Sequence, residues 1–339
     1  MVEEHNPKLT SAEVATLWTQ YQNDTAAICF NKHMMEHIED KDIMKEFEFS
    51  MSLISKHLEE IKNFFETEGY PLPSGFTDRD VTSNKPRLFS DVFCLHYLNI
   101  MSIHGCQGYS SAITTSSRKD VLEYFTSCLN SSVELCKRTK LLLQEKGLYY
   151  RPPVLSPAES TDFVKDKSFL SAGWFSDKRP LSCIEITNIY FNMKKSILAK
   201  AVTVAFCQVS PSNKVKDVFH KAIETKDKHI HIFKEVFDNE NLPSAPTLEA
   251  EISNSTASPF SDKLMTFHVA FLFSTAMSYY GSGWASSPRK DLALKFGVAI
   301  ADDLKLGGKC VNLMIENGWL EEPPLSNNRS ELIKNSIFT

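Results

Sequence analysis

The amino-acid sequence predicts an all-α protein that contains two tandem four-helix bundles. A chain of 339 residues is too long for one compact core. Its 12 glycines and 15 prolines leave room for long uninterrupted helices and argue against a turn-rich sandwich or barrel. Residues 89–154 also match residues 260–325 without a gap, at a constant offset of 171. The chain is therefore a tandem duplication.

Short motifs that return in the second half mark the two units. Two tripeptides recur at the offset of 171: Phe89-Ser90-Asp91 as Phe260-Ser261-Asp262, and Arg118-Lys119-Asp120 as Arg289-Lys290-Asp291. Upstream the offset is 172, which aligns His57 with His229. The matches divide the chain into four parts: a first four-helix bundle at 1–155, a joining segment at 156–180, a second four-helix bundle at 181–325 and a C-terminal tail at 326–339.

The first helix of each unit begins at a capping box. In Thr10-x-x-Glu13 and Ser182-x-x-Glu185, a hydroxyl and a carboxylate stand where they satisfy free N–H groups of the first turn. These two glutamates therefore have a structural role, and we exclude them from the candidate metal ligands.

Apolar periodicity and stop signals predict the later helices. The second helix of the first unit has an apolar stripe with 3–4 spacing: Phe47, Met51, Ile54, Leu58, Ile61 and Phe65. The fourth helix is predicted to be capped by Ser117 in the first unit and to begin at Ser287-Pro288 in the second. It should end at Gly147 and Gly318, because glycine accepts the left-handed conformation that closes a helix.

The lengths of the connections predict the topology. The turns near 39–42 and 114–117 are short, so the helices that they join must be antiparallel. The stretch 69–88 of about 20 residues can reach along a helix of about 42 Å. This favours a ferritin-like arrangement with one long crossover connection in each unit. The alternative is an all-antiparallel bundle in which the stretch 69–88 is a flexible loop.

The composition and the N-terminus argue against nucleic-acid and membrane partners. The formal net charge is −5, which gives no electrostatic case for binding nucleic acid. The most apolar window, 267–280, falls short of a membrane span, and residues 1–9 lack the apolar region of a signal peptide. We therefore expect a protein made in the cytoplasm, with no membrane span.

The sequence predicts structural roles for the eight cysteines and for the joining segment. None of the cysteines forms a C-x-x-C pair, so we expect reduced thiols rather than disulfides or a zinc ribbon. The joining segment is too apolar to leave in water, and we expect it to pack against one or both bundles. Its apolar residues are Phe163, Val164, Phe169, Leu170, Trp174 and Phe175.

Four motifs taken together point to a known family: Phe89-Ser90-Asp91, the connector from Gly75-Phe76-Thr77 to Asp80-Val81, Phe260-Ser261-Asp262-Lys263-Leu264-Met265, and Asn317-Gly318-Trp319-Leu320 with Pro323-Pro324. They resemble the tandem-repeat proteins catalogued as domain of unknown function 3231. The resemblance covers nearly the whole chain. It implies a pair of ferritin-like bundles and an association with the spores of endospore-forming bacteria. Members of this family are often described as similar to spore coat protein F. It brings no accepted catalytic residues.

A ferritin-like bundle raises the question of a di-iron centre. That chemistry needs Glu-x-x-His on two helices, and the motif is absent from this sequence. The nearest match is Asp217-x-x-His220 with Glu224 one turn later, and it has no counterpart in the first unit. We therefore predict no cofactor, with iron, manganese or zinc as the alternative.

Histidines supply the remaining candidate metal ligands. His33-x-x-Glu36-His37 has the residue order of inverted zinc peptidases, but a solvated helix end is the plainer interpretation. His57 and His229 border the inward stripe of their helices. We interpret both as buried structural residues with one nitrogen hydrogen-bonded across the bundle, with a ligand or pH-sensing role as the alternative.

No complete catalytic set is found in the sequence, which favours a protein that is not an enzyme. We predict a non-catalytic structural or interaction protein that is associated with the spore and deposited in its coat. Its partners would be spore-layer proteins or further copies of itself. The alternatives are a metal-dependent ferritin-like oxidoreductase or metal store, and a carrier of an apolar ligand between helices.

Overall fold

A computed structural model describes residues 7–170 and 179–337 of the chain, and within these residues it is helical without a named strand. Eight long helices form two similar units, each of four helices. They are α1 Ser11–Met35, α2 Lys41–Glu68, α3 Asp91–Thr115, α4 Lys119–Glu145, α5 Cys183–Val209, α6 Asn213–Asn239, α7 Asp262–Ser286 and α8 Lys290–Glu316, followed by a short α9 Arg329–Ile337. The prediction of an all-α protein with two tandem bundles is confirmed.

Contacts between helix ends establish the topology of the first unit. The backbone N–H of Asp40, just before α2, donates to Asp91 Oδ2 at the start of α3 over 2.8 Å. Glu46, near the start of α2, bonds Arg138, near the end of α4, at 2.8 Å. Helices α2 and α3 therefore run parallel, and residues 69–90 carry the chain back along the bundle. The second unit has the same order, since Lys214 at the start of α6 pairs with Glu316 at the end of α8. One long crossover in each unit is confirmed, and the all-antiparallel alternative is wrong.

Both predicted capping boxes are present, and their glutamates also cap a second helix. Glu13 Oε1 accepts the backbone N–H groups of Ser117 and Arg118 at 2.8 Å each. Burial would raise the pKa of Glu13, but these donors and the N–H of Thr10 outweigh it and lower the pKa to about 2. Ser117 was predicted to cap α4, and this is wrong: the N-cap residue is Arg118, and the carboxylate of Glu13 accepts the backbone N–H groups just before the helix.

The hydrophobic core is divided into three clusters, one of which the two units share. The far end of each bundle has its own cluster, around Phe125 in the first unit and Phe296 in the second. The largest cluster joins the units, where Phe30 of α1 stacks on Phe206 of α5 at 5.7 Å between ring centroids. The two units therefore do not have entirely separate cores, because one end of each bundle packs against the other unit.

The two long connections exchange backbone contacts. Isolated antiparallel bridges pair Val81 with Phe260 and Phe89 with Ile252. Residues 81 and 252, like residues 89 and 260, stand at equivalent positions of the repeat. The contact is therefore reciprocal, and the two units are related by a pseudo-twofold axis between the connections.

Side chains repeat this reciprocity at the start of the third helix of each unit. Ser261, the N-cap of α7, donates its hydroxyl to Asp80 of the first connection at 2.7 Å. Ser90, the N-cap of α3, donates its hydroxyl to Glu251 of the second connection. Asp80 and Glu251 are themselves equivalent residues. Each unit therefore supplies the acceptor that fixes a helix start in the other.

The segments that follow the bundles also cross to the opposite unit. The carboxylate of Glu321 accepts the backbone N–H groups of Ser74 and Gly75 at 2.6 and 3.1 Å. At the equivalent position of the first unit, the carbonyl of Tyr150 accepts the hydroxyl of Tyr190 at 2.6 Å. These docked segments extend the reciprocal interface beyond the helices.

The joining segment differs from the expectation that it packs against the bundles. Phe163 is 87% exposed and Val164 is 61% exposed. Residues 161–168 are exposed, and the charged side chains among them favour solvation of this stretch. Lys165 pairs locally with Asp162. Of the described apolar residues that were named in this segment, only Phe169 is partly covered, under the guanidinium of Arg179. Trp174 and Phe175 lie outside the described residues.

No helix among the described residues is long and apolar enough to cross a membrane.

Candidate functional site

The centre of the second bundle contains a fully buried ion pair. Lys226 Nζ of α6 lies 2.6 Å from Asp303 Oδ2 of α8, and neither side chain has any exposed surface. The ammonium also lies 3.9 Å above the centroid of the Phe273 ring. Burial lowers the pKa of Lys226 and raises the pKa of Asp303 to about 6, although each partner acts against that shift.

His229 borders this ion pair. Its Nδ1 lies 3.2 Å from the hydroxyl of Tyr280, which in turn lies 2.7 Å from Ser196 Oγ. Burial, followed by the positive charge of Lys226, lowers the pKa of His229 to about 3. The histidine is therefore neutral at physiological pH.

The centre of the first bundle holds a different polar network at the same height. His57 Nδ1 lies 3.3 Å from Asp24 Oδ2, and Gln20 donates to the same carboxylate oxygen at 3.2 Å. Tyr124 donates its hydroxyl to Gln20 Oε1 at 3.0 Å. Burial alone would lower the pKa of His57, but Asp24, together with Cys128, outweighs it and raises the pKa to about 10. This histidine is therefore a cation.

The two centres thus keep the same histidine but give it different protonation states: His57 is a cation and His229 is neutral. His57 and His229 are both buried, at 9% and 0% exposure, as the sequence predicted. The carboxylate is on the first helix in the first unit, at Asp24, and on the fourth helix in the second unit, at Asp303. The serine Ser196 stands at the position equivalent to Asp24. Duplication preserved the polar centre, and the charges within it were rearranged.

These centres do not fit a di-iron site. Such a site needs several carboxylates facing one another, and in the second bundle the buried ammonium of Lys226 neutralises the carboxylate of Asp303. Asp217, His220 and Glu224, the nearest sequence match, are exposed on the outer face of α6. The structure therefore does not bring them into the bundle, and we derive no iron chemistry from it.

The end of α1 brings together His33, Glu36 and His37. One ligand atom from each lies within 4.8 Å of the others, which is close enough to hold a metal ion. His33 is only 1% exposed, so the expectation of a solvated helix end is wrong for this residue. Neither of its ring nitrogens has a hydrogen-bond partner among the described residues, and burial, followed by the nearby His37, lowers its pKa to about 4.

The other two residues of this cluster also fix the first long connection. His37 Nε2 lies 2.9 Å from the carbonyl of Lys85, and Glu36 accepts the backbone N–H of Asn84 at 3.3 Å. In the second unit, Gln208 performs the equivalent task by donating to the carbonyl of Ser253 at 2.8 Å. Glu36 and His37 therefore have a structural role, while His33 remains without a partner.

Two cysteines near the junction of the units face each other. Cys106 of α3 and Cys136 of α4 interact through a hydrogen bond between their thiols, which lowers the pKa of Cys136 to about 6 and raises the pKa of Cys106. The positive charges of Lys140 and Lys194 also lower the pKa of Cys136. The sequence predicted only reduced thiols. All eight cysteines are free, and both members of this pair are partly exposed.

The family model described as "Protein of unknown function (DUF3231)" matches residues 1–160 and 170–332. The chain belongs to the DUF3231 family. No curated protein matches it. A solved structure from Bacillus halodurans C-125, described as a candidate spore coat protein, is similar to this DUF3231 protein at 21% identity and a TM-score of 0.42. The alignment covers 44% of this chain and 98% of that chain.

Sequence reasoning missed the ion pair of this DUF3231 protein because its members are 77 residues apart and belong to no motif. A comparison of the two repeats contains the signal. Lys226 replaces Ile54 of the first unit, and Asp303 replaces Ser132. When two positions are neutral in one copy and carry opposite charges in the other, the two side chains are typically in contact.

Proposed function

We propose that this DUF3231 protein is a non-catalytic structural or interaction protein of the spore, in which the two bundles act as one rigid building block. The observation that carries the proposal is the reciprocal contact between the two connections. Ser261 bonds Asp80, and Ser90 bonds Glu251, so each unit completes a helix start of the other.

The shared core supports the same proposal. Phe30 and Phe206 are each only 1% exposed, and their rings stack on each other across the junction of the units. At about 25 cal/mol per Å² of buried apolar surface, separating the units and exposing such residues would be strongly unfavourable. A body that does not open suits a structural role better than a role that needs domain motion.

The bundle centres support it as well. In the second bundle, the charges of Lys226 and Asp303 neutralise each other. In the first bundle, the carboxylate of Asp24 pairs with His57 and accepts a hydrogen bond from Gln20. Polar groups that are already paired inside the core specify the packing of the bundle rather than offer a reactive site.

The spore association rests on family membership, since the family is found in endospore-forming bacteria. The experiment is to express the full chain, fused to a fluorescent protein, in a sporulating host and to measure its distribution between purified spores and the mother-cell fraction. The fusion should accompany the spore layers and be released only by coat extraction. A fusion that stays wholly in the mother-cell fraction contradicts the proposal, and the unfused fluorescent protein is the control.

A second candidate function is the binding of a divalent metal at the end of α1. The observation that favours it is the unpartnered, buried imidazole of His33 beside His37 and Glu36. Imidazole and carboxylate ligands suit zinc, and two histidines and one glutamate would leave a fourth position open.

The metal site is tested by titrating the chelator-treated full chain with Zn²⁺ against a chromophoric chelator. One equivalent should bind to the wild type, and His37→Ala should abolish binding. His220→Ala removes an exposed histidine outside the cluster and is the matched control. Equal zinc binding by the wild type and by His37→Ala would rule the site out.

A further inference from the structure

The outer face of α8 is apolar and uncovered. Its exposed positions follow one another at intervals of three and four residues, which places them on one side of the helix. They are Leu294, Val298, Ala301, Leu304, Gly308, Val311 and Ile315, here called the α8 stripe. Leu304 is 65% exposed, and Leu294 and Ile315 are each 58% exposed. The α8 stripe spans about 32 Å, since a helix rises about 1.5 Å per residue.

The first unit supplies a comparison, because α4 is the duplicate of α8. The residues of α4 at the positions of the α8 stripe are mostly polar: Glu123, Ser127, Asn130, Val133, Lys137, Lys140 and Gln144. Both helices pack on their own bundle in the same way. The fold therefore does not require an apolar outer face, and the α8 stripe needs another explanation.

Glycines on this side of α8 make the same point. An added Cβ at Gly297, Gly307 or Gly308 would meet nothing within 4 Å. Glycine within a helix costs about 1 kcal/mol relative to alanine. Within the part of the chain that the structure describes, no contact compensates for that loss, whereas a second helix that approaches closely would use the space.

We propose that a second copy of this chain binds the α8 stripe, so that two α8 helices pack antiparallel about a twofold axis between Leu304 and Lys305. The sizes of the side chains fit this register. It places Leu294 opposite Ile315 of the second copy and Val298 opposite Val311. The two smallest residues, Ala301 and Gly308, then face each other, which allows the helices to approach at the middle of the contact.

The charges beside the α8 stripe fit the same register. Lys295, Asp302, Lys309 and Glu316 are seven residues apart and alternate in sign along one flank. In the antiparallel register Lys295 lies beside Glu316 of the second copy, and Asp302 lies beside Lys309. Lys305, next to the axis, comes within reach of Asp302 of the second copy. Opposite charges therefore meet along the whole flank.

A parallel pairing of two α8 helices would lose these contacts. The flank of one helix would then face the opposite flank of the second helix, so Lys295 would not meet Glu316 and Asp302 would not meet Lys309. Three of these residues also pair within their own chain, where α6 supplies Glu235 to Lys295 at 3.3 Å, Lys228 to Asp302 at 2.6 Å and Lys214 to Glu316 at 2.7 Å. The flank is thus held in place before the second copy arrives.

Sedimentation velocity of the full chain tests the association. The wild type should have twice the 38.4 kDa mass of the monomer at micromolar concentrations. The double variant Val298→Ser with Val311→Lys imports the residues Ser127 and Lys140 of α4, which the same fold already accepts. It should weaken the dimer by about 100-fold or more, since tenfold corresponds to 1.4 kcal/mol and charge burial costs several kcal/mol.

Val133→Lys on α4 is the matched control, because Val133 is 51% exposed and lies outside the α8 stripe. This variant should remain a dimer. A wild type that stays monomeric at about 100 μM, far above the dissociation constants of ordinary dimers, overturns the proposal. So does a dimer that survives Val298→Ser with Val311→Lys.

Cross-linking tests the orientation. In a Cys183→Ser background, which removes the exposed thiol, Val298→Cys and Val311→Cys are made as separate proteins and then mixed. The antiparallel register predicts a disulfide-linked dimer from the mixture and little from either protein alone. Self-linking of Val298→Cys that exceeds the yield of the mixture would show a parallel pair and overturn the register. Self-association does not depend on where the protein is deposited, so the spore experiment and this one can fail separately.

Discussion

The hydroxyl of Tyr97 lies 3.2 Å from Nε2 of His268, the residue at the equivalent position of the second unit. Gln107 and Ser278 are also equivalent, and they are joined by a hydrogen bond of 3.1 Å. Both pairs therefore lie on the pseudo-twofold axis. In a dimer of identical chains, each residue on the axis would face itself. Duplication has allowed different residues to meet there, and burial, which lowers the pKa of His268 to about 3, keeps the imidazole neutral beside the tyrosine.

The reciprocal caps can be tested one at a time. Asp80→Ala removes the acceptor of the Ser261 hydroxyl, and Glu251→Ala removes the acceptor of the Ser90 hydroxyl. Each should lower the free energy of unfolding by about 1–3 kcal/mol, since a hydrogen bond to a buried charge is lost. The measurement is chemical denaturation followed by circular dichroism.

The control for the caps is Asp78→Ala in the same connection, where the carboxylate is 83% exposed. Its effect should stay within about 0.5 kcal/mol, as is usual for surface substitutions. Equal effects of Asp78→Ala and Asp80→Ala would show that the contact between the connections contributes nothing to stability.

The buried ion pair predicts a strongly non-additive pair of substitutions. Lys226→Ile leaves the carboxylate of Asp303 buried without its partner, and it should lower the free energy of unfolding by about 3–5 kcal/mol. Lys226→Ile with Asp303→Ser imports Ile54 and Ser132, the residues of the first unit, and should restore most of the loss. A double-mutant cycle in denaturant measures the coupling, and simple additivity of the two losses would contradict the assigned role.

The two central histidines predict opposite responses to pH. The raised pKa of His57, about 10, stabilises the fold fully below the unfolded value near 6.5, and this contribution is lost as pH rises towards 10. The lowered pKa of His229, about 3, has the reverse effect: stability is lost as pH falls from about 6.5 towards 3.

Histidine-to-glutamine variants separate the two responses. The stability advantage of the wild type over His57→Gln should shrink between pH 7 and pH 10, within the window that the raised pKa defines. His229→Gln should instead flatten the loss of stability on the acid side. Denaturation midpoints across pH provide the measurement. If neither variant alters the dependence of stability on pH, the two histidines do not contribute to it.

The paired thiols predict an intramolecular disulfide. Diamide should remove one hydrogen from each of Cys106 and Cys136, the azo reagent being reduced to the hydrazine as the S–S bond forms. The lowered pKa of Cys136 supplies the attacking thiolate near neutral pH. Intact mass and peptide mapping detect the product, which Cys136→Ser should abolish. Cys183→Ser is the control, and a mixed disulfide through Cys183 as the main product would contradict the pairing.

Much of the fold could be predicted because its signals are local or repeated. The capping boxes at Glu13 and Glu185 follow from four-residue patterns, and the crossover follows from the length of 69–88. The packing of the units on each other has no such signal. The sequence shows that Phe30 and Phe206 are apolar, but it does not show what covers them. A repeat likewise gives no indication of how its copies meet.

The candidate site was harder to predict for a related reason. The burial of His57 and His229 followed from their register beside the apolar stripe. Their different protonation states depend on neighbours that the register does not show: Asp24 of α1 raises the pKa of His57, whereas burial and the charge of Lys226 lower the pKa of His229. His33 was expected in water because it lies near a helix end, and it is buried because Phe260 of the other unit covers it.

The exposed stretch around Phe163 connects two units that also pack against each other through the shared core. A protease that nicks this stretch would remove no residue of that core. The fragments on either side would then persist as a noncovalent heterodimer. The covalent connection ensures that the two units are synthesised in a one-to-one ratio. After folding, the shared core holds them together.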